Sequence, residues 1–137
     1  MLSLVDQLQN YEKDLGAHIP KIFGEYSANI EKKRFCERTL QLMVETCMDS
    51  CNLLVKDLKL GIPSEEENVF EKLYETKVIS EDMANSLREM KKFRNVLIHR
   101  YAIVDDSLVY ENATKNAGDF TEFRKEILEF LKEKKFE

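Results

Sequence analysis

"RFCERTLQLMVETCMDSCNLL", Arg34 to Leu54, decides the fold. Cys36, Leu40, Met43, Cys47, Cys51 and Leu54 recur at intervals of three and four, the spacing that stacks side chains on one face of an α-helix. No glycine or proline interrupts the chain from Ala28 to Leu58, and Leu58 prolongs the stripe, so one long helix is predicted over about 28–58. The opposite side is not purely polar. Phe35, Leu42 and Leu53 lie away from the stripe, beside a polar line of Arg38, Gln41, Glu45, Asp49 and Asn52. A helix apolar on two sides is buried on two sides. One side serves the core of the monomer; the other invites a partner subunit.

Towards the N-terminus, Leu4, Leu8, Tyr11 and Leu15 share a face and predict a helix over about 3–15, with Gly16 as its stop. Pro20 fits the first turn of a short helix carrying Ile22, Phe23 and Tyr26. In the other direction, Gly61 and Pro63 are expected to end the long helix, and Ser64 with Glu67 has the form of a capping box. The short helix after it carries Val69, Phe70, Leu73 and Tyr74. Ser80 then caps a further helix with Glu81 and Asp82 in its first turn, where acids suit the helix dipole. Its apolar stripe is Met83, Leu87, Met90 and Leu97. A last helical region begins near Leu108 and runs towards Lys134, bent or broken at Gly118, where Asp119 and Glu122 can form a fresh cap. "YAIVDDSLVY", Tyr101 to Tyr110, reads as a connector, because a lone hairpin there would have no sheet to join. The sum is an all-α chain: an antiparallel four- to five-helix bundle in a single domain over residues 1–137.

The totals agree with that class. Hydrophobic residues make up 43% of 137, which suits one packed core. Four Gly, two Pro and no Trp favour helices over strands. No apolar run approaches the roughly 18–20 residues of a membrane span, and the acidic, periodic "MLSLVDQLQNYEKD" is not a signal peptide, so no membrane partner is expected. Three cysteines, an odd count, point to reduced thiols in a cytoplasm. With His18 and His99 as the only histidines, a zinc site is poorly supplied, and Cys36, Cys47 and Cys51 are expected to pack as small hydrophobes. Neither a metal nor another cofactor is called for. The net charge of −5 argues against broad, non-specific nucleic-acid binding but leaves room for a local phosphate site. Basic residues cluster at Lys32, Lys33 and Arg34, and again at Lys91, Lys92, Arg94 and Arg100.

The second cluster lies in "KKFRNVLIHRY", Lys91 to Tyr101. Arg94 falls about 40° from Met90 and about 60° from Leu97 around the helix, at the edge of the buried stripe. Tyr101 nearly aligns with Arg94, whereas His99 stands about 140° away. Arg94 and His99 converge in one chain only if the helix is deformed, as by a π-bulge, or ends; otherwise they meet across a two-fold axis. The same spacing also fits a packing seam. There, Arg94 snorkels towards Glu45 or Asp49, His99 sits at the surface near a helix end, and Tyr101 packs with its hydroxyl bonded.

"RNVLIHRY" resembles the R-x4-6-H motif of HEPN domains, in the R-x4-H-x-Y form of HepT-type toxins. The likeness extends to Arg34–Leu54, which is similar to that family's long helix, and to Met90–Tyr110, similar to its motif helix and the turn after it. The resemblance implies an all-helical homodimer that acts as a metal-independent endoribonuclease, with a minimal, MntA-like nucleotidyltransferase as antitoxin. It implies that Arg94 and His99 are catalytic and that Asn95 is the polar residue that often follows the arginine. It further implies that Tyr101 is the tyrosine on which the antitoxin places AMP. With that function in view, Lys91, Lys92 and Arg100 would form a basic rim for RNA, and Glu45 and Asp49 would orient the arginine. A non-catalytic HEPN module partnering a nucleotidyltransferase is the alternative expectation.

Overall fold

Asn29 opens the longest helix: its side chain accepts the backbone N–H of Lys32 at 3.0 Å, satisfying one of the donors left bare at a helix start. The computed structural model describes residues 1–61, 66–99 and 105–135. Within them the chain forms seven helices: α1 (Leu2–His18), α2 (Phe23–Ser27), α3 (Ile30–Asp57), α4 (Glu66–Glu75), α5 (Glu81–Ile98), α6 (Asp106–Thr114) and α7 (Gly118–Lys135). No strand occurs among the described residues. The four long helices, α1, α3, α5 and α7, make the antiparallel bundle, and the short ones pack at its ends and side.

The helix ends differ from the sequence expectations in instructive ways. α1 runs through Gly16 to His18. What stops it is Pro20, whose ring disfavours helical geometry in the residue before it; Ile19 is extended, with φ −69° and ψ 125°. Pro20 therefore precedes α2 rather than sitting in its first turn, and Ile22 takes the N-cap position. α3 ends at Asp57, ahead of Gly61 and Pro63. Lys59 adopts a left-handed conformation (φ 55°), which lets the N–H of Leu60 reach back to the carbonyl of Val55 at 3.0 Å. Lys77 (φ 62°) repeats the device after α4, where Val78 donates to Leu73 at 2.9 Å. The expected capping box at Ser64 lies outside the described residues, as does Pro63. The last helical region divides into α6 and α7, and Asp119 falls in the first turn of α7 instead of capping it.

The stripe on α3 is the core. Cys36, Leu40, Met43, Cys47, Cys51 and Leu54 are buried, against Leu8, Leu73, Leu87, Phe123 and Ile127 from the neighbouring helices. Full burial of each such aliphatic side chain contributes about 1.5–3 kcal/mol before entropy is counted. The three cysteines are free and buried, as expected of packing residues. Polar ties fix the register between helices. Glu12 of α1 pairs with Arg124 of α7 and accepts the Thr121 hydroxyl at 2.6 Å. Lys33 meets Asp106 at 3.2 Å, joining the start of α3 to the start of α6. Tyr26 is wholly buried, with no hydrogen-bond partner for its hydroxyl among the described residues, and its ring lies 5.2 Å from that of Tyr110, which donates to the carbonyl of Pro20 at 2.7 Å. No helix of the described residues is long and apolar enough to cross a membrane.

Candidate active site

The candidate residues ride on α5, and α5 is secured first at its start. The Ser80 side chain accepts the N–H of Met83 at 3.1 Å. The Glu126 carboxylate of α7 then takes both the Ser80 N–H (2.6 Å) and its hydroxyl (3.1 Å). The buried face of α5 is Met83, Ala84, Leu87, Met90, Phe93 and Leu97. Phe93 was missed in the sequence stripe. It lies between Met90 and Leu97 at helical spacing, and its burial sets Arg94 at the edge of that face.

Arg94 is half-buried, and its Nη2 donates to Asn95 Oδ1 at 3.2 Å, so the two expected partners sit side by side. α5 remains α-helical to Ile98, without a π-bulge. His99 is the C-cap residue, with φ −95° and ψ 33°, and its N–H still bonds the Asn95 carbonyl at 2.9 Å. Its imidazole is exposed. The helix thus ends at the histidine, and at ideal helical spacing positions 94 and 99 stand about 140° apart around the axis. Arg100 and Tyr101 lie outside the described residues.

The supporting residues separate into engaged and open groups. Lys92 pairs with Glu89 at 3.1 Å. Glu45, half-buried on α3, accepts the Gln41 amide at 3.1 Å, while Asp49 is exposed. Lys91 is half-buried on α5. The other basic cluster is engaged in local contacts: Arg34 with the buried Glu37 at 2.8 Å, Lys33 with Asp106, and Lys32 with His18 Nδ1 at 3.4 Å. Sequence reasoning did not anticipate the burial of Glu37, although an arginine three residues before it was a visible signal.

Several large apolar side chains are exposed. Val96 (47% exposed) and Ile98 (44%) flank the motif on α5, and Ile30 and Phe35 stand open on α3. Leu42 and Leu53 on the second face of α3 are only half-buried, and Arg38, Asp49 and Asn52 beside them are exposed. Burial also pushes the Cys36 thiol up to about 11 and the Cys47 thiol well above its ordinary value, so neither is a nucleophile at neutral pH.

Comparison with known proteins gives consistent matches. The family described as "Ribonuclease HepT-like" matches residues 8–127. An mRNA nuclease HepT from Shewanella oneidensis is 27% identical over 84 residues, 61% of this chain and 63% of that protein. A putative RNase from Archaeoglobus fulgidus is 41% identical over 66 residues, 48% of this chain and 49% of that protein. The matched stretch is thus less than two-thirds of either relative's length. Among solved structures, the tri-AMPylated Shewanella oneidensis HEPN toxin in complex with MNT antitoxin superposes with a TM-score of 0.84 at 20% identity, covering 92% of this chain and 94% of that one. That likeness is one of fold.

Proposed function

This chain belongs to the HepT-like ribonuclease family, and from that premise we propose that it is the toxin of a toxin–antitoxin pair, a metal-independent endoribonuclease. The observation that carries the reading is the end of α5, where the Arg94–Asn95 pair is followed by an exposed histidine at the helix C-cap. RNA brings its own nucleophile, the 2′-hydroxyl, so no metal-bound water is needed. One histidine takes the 2′-OH proton as the oxygen attacks phosphorus; a second gives a proton to the departing 5′-oxygen. Histidine suits both roles because it exchanges protons near neutral pH. The products are a 2′,3′-cyclic phosphate and a 5′-hydroxyl. Arg94 holds the phosphate and the charge that builds on it, through a planar fork of donors. Asn95 steadies the fork, and Lys91, Lys92 and Arg100 form a basic rim. Glu45 and Asp49 act as supporting acids from α3.

The divergence of Arg94 and His99, with the uncovered apolar surface around them, supports a homodimer in which two copies of the motif build one cleft. The partner that silences it is a nucleotidyltransferase antitoxin, MntA-like, and the modified residue is Tyr101. Purified protein should cut RNA in EDTA, and Arg94→Ala and His99→Ala should each abolish cutting. Undiminished cleavage by both variants would reject this assignment of residues.

A further inference from the structure

A groove of 510 Å³ runs between α5 on one side and α6 with the start of α7 on the other. That size is typical of small-ligand sites. Its apolar lining comes from Phe93, Val96 and Leu108, and its walls carry three carboxamides, Asn85, Asn112 and Asn116, with the open carboxylates of Glu111 and Asp119 and the Glu89–Lys92 pair. Part of the polar capacity is already used. Asn85 Oδ1 accepts from Arg88 at 2.9 Å, and Asn112 donates to the Leu108 carbonyl at 2.9 Å and faces the Asn116 amide at 3.5 Å. Among the described residues, no hydrogen bond occupies the Asn85 amide nitrogen, the Asn116 side-chain oxygen, or either carboxylate. Asp119 is recessed enough that burial raises its carboxyl above the usual range.

The α5 wall of the groove ends at Val96, about one turn before His99. Asn85, Glu89, Lys92 and Val96 form the α5 wall at helical spacing. The N–H of His99 is still in helical register, and at ideal helical spacing position 99 falls about 20° from Lys92 and about 60° from Val96 around the axis, with position 94 on another side.

We infer that this groove is a base-binding subsite, which seats the nucleobase next to the phosphate on which His99 acts and favours a base with N–H donors on its pairing edge, guanine above all. The inference rests on the ribonuclease reading of Arg94 and His99. Guanine offers N1–H and an exocyclic amine, which match carboxylate acceptors, and an O6 acceptor, which matches the open Asn85 amide. The apolar lining covers a ring face. The acids repel phosphate, so the backbone stays outside the groove, on the side of Lys92. A groove built for phosphate would carry the opposite charge.

Two measurements test this and separate its failure from that of the ribonuclease reading. In the first, a random RNA pool is cut by the native protein and by Asp119→Asn, and the cyclic-phosphate ends are sequenced. Native cleavage should favour guanine at one position beside the cut, and Asp119→Asn should reduce that preference by roughly tenfold while still cutting. No base preference, or one unchanged by the substitution, overturns the subsite and leaves the ribonuclease intact. The second titrates His99→Ala with guanosine and with uridine, following the side-chain amide NMR signals of Asn85, Asn112 and Asn116. Saturable shifts with guanosine and weak ones with uridine support the subsite even if no form of the protein cuts RNA, an outcome that would reject the ribonuclease reading alone. Shifts with neither nucleoside overturn the subsite whatever the activity. A circular-dichroism melt confirms that each variant is folded.

Discussion

Arg94 lies on α5 and His99 caps its end five residues on, and at ideal helical spacing the two positions stand about 140° apart around the axis. No irregularity in α5 closes that angle, because the helix is regular to Ile98 and His99 merely caps it. The arginine borders the buried face of α5, and the histidine follows about one turn after Val96 of the groove wall. A composite site follows if the arginine of one subunit works with the histidine of another.

That arrangement is testable by mixing dead variants. Arg94→Ala and His99→Ala should each be inactive alone. After co-refolding, random pairing makes half the dimers mixed, and in each mixed dimer the shared cleft keeps one arginine and one histidine, so partial recovery, at most roughly half of native activity, is expected where that one histidine serves as both base and acid. Absence of any recovery in verified mixed dimers would mean that the cleft needs both histidines or that each site lies within one chain.

The open apolar residues make a second prediction. Ile98→Asp places charge on an exposed position, so monomer stability should change by no more than about 0.5 kcal/mol; Phe35→Asp also removes an edge-on contact with His18 and should cost about 0.5–1.5 kcal/mol more. Sedimentation at micromolar concentration should nonetheless shift from dimer to monomer. A dimer that survives both substitutions would exclude this face as the interface.

The Ser80–Glu126 connection should matter more than an ordinary surface contact. Ser80→Ala removes a cap and should cost about 1 kcal/mol in urea unfolding, whereas Leu87→Ala in the core should cost about 2–5 kcal/mol. Hydrogen exchange should show the first turn of α5 opening more readily in Glu126→Ala. Unchanged protection there would mean that α7 does not steady the helix.

The cysteines set the alkaline limit. The folded state raises the Cys36 thiol to about 11, chiefly by desolvation, so the native protein binds that proton more tightly than the unfolded chain. Stability should therefore fall as pH rises from the ordinary thiol range towards that value. Urea midpoints at pH 8 and pH 10 read the slope, and Cys36→Ala should lessen it, by roughly a third, because burial raises the Cys47 and Cys51 thiols too. Alkylation of native protein at pH 8 should be slow at all three thiols; fast stoichiometric labelling would contradict their burial.

The elements legible in the sequence were those written by local rules. The α3 stripe, the Ser80 cap and the place of Arg94 at an apolar edge needed only spacing and capping chemistry. Where two local signals competed, the reading went wrong. Gly16 looked like a stop, but a helix tolerates one glycine, and the steric effect of Pro20 on Ile19 decided the end. Lys59 gave no warning, because a left-handed lysine is imposed by the turn and not preferred by the residue. The amide groove was invisible, since Asn85 and Asn112 belong to different helices and only tertiary packing brings them together. The orientation of His99 was half-readable: the angle came from spacing, but whether the helix bulged or stopped was decided by packing.

The bonds from Glu126 to Ser80 and from Arg124 to Glu12 mean that the last of the seven helices grips both the first and the motif-bearing one. Helices emerge from the ribosome in order, so α5 is made well before the element that braces it. A nascent chain lacking α7 would hold an unbuttressed motif helix.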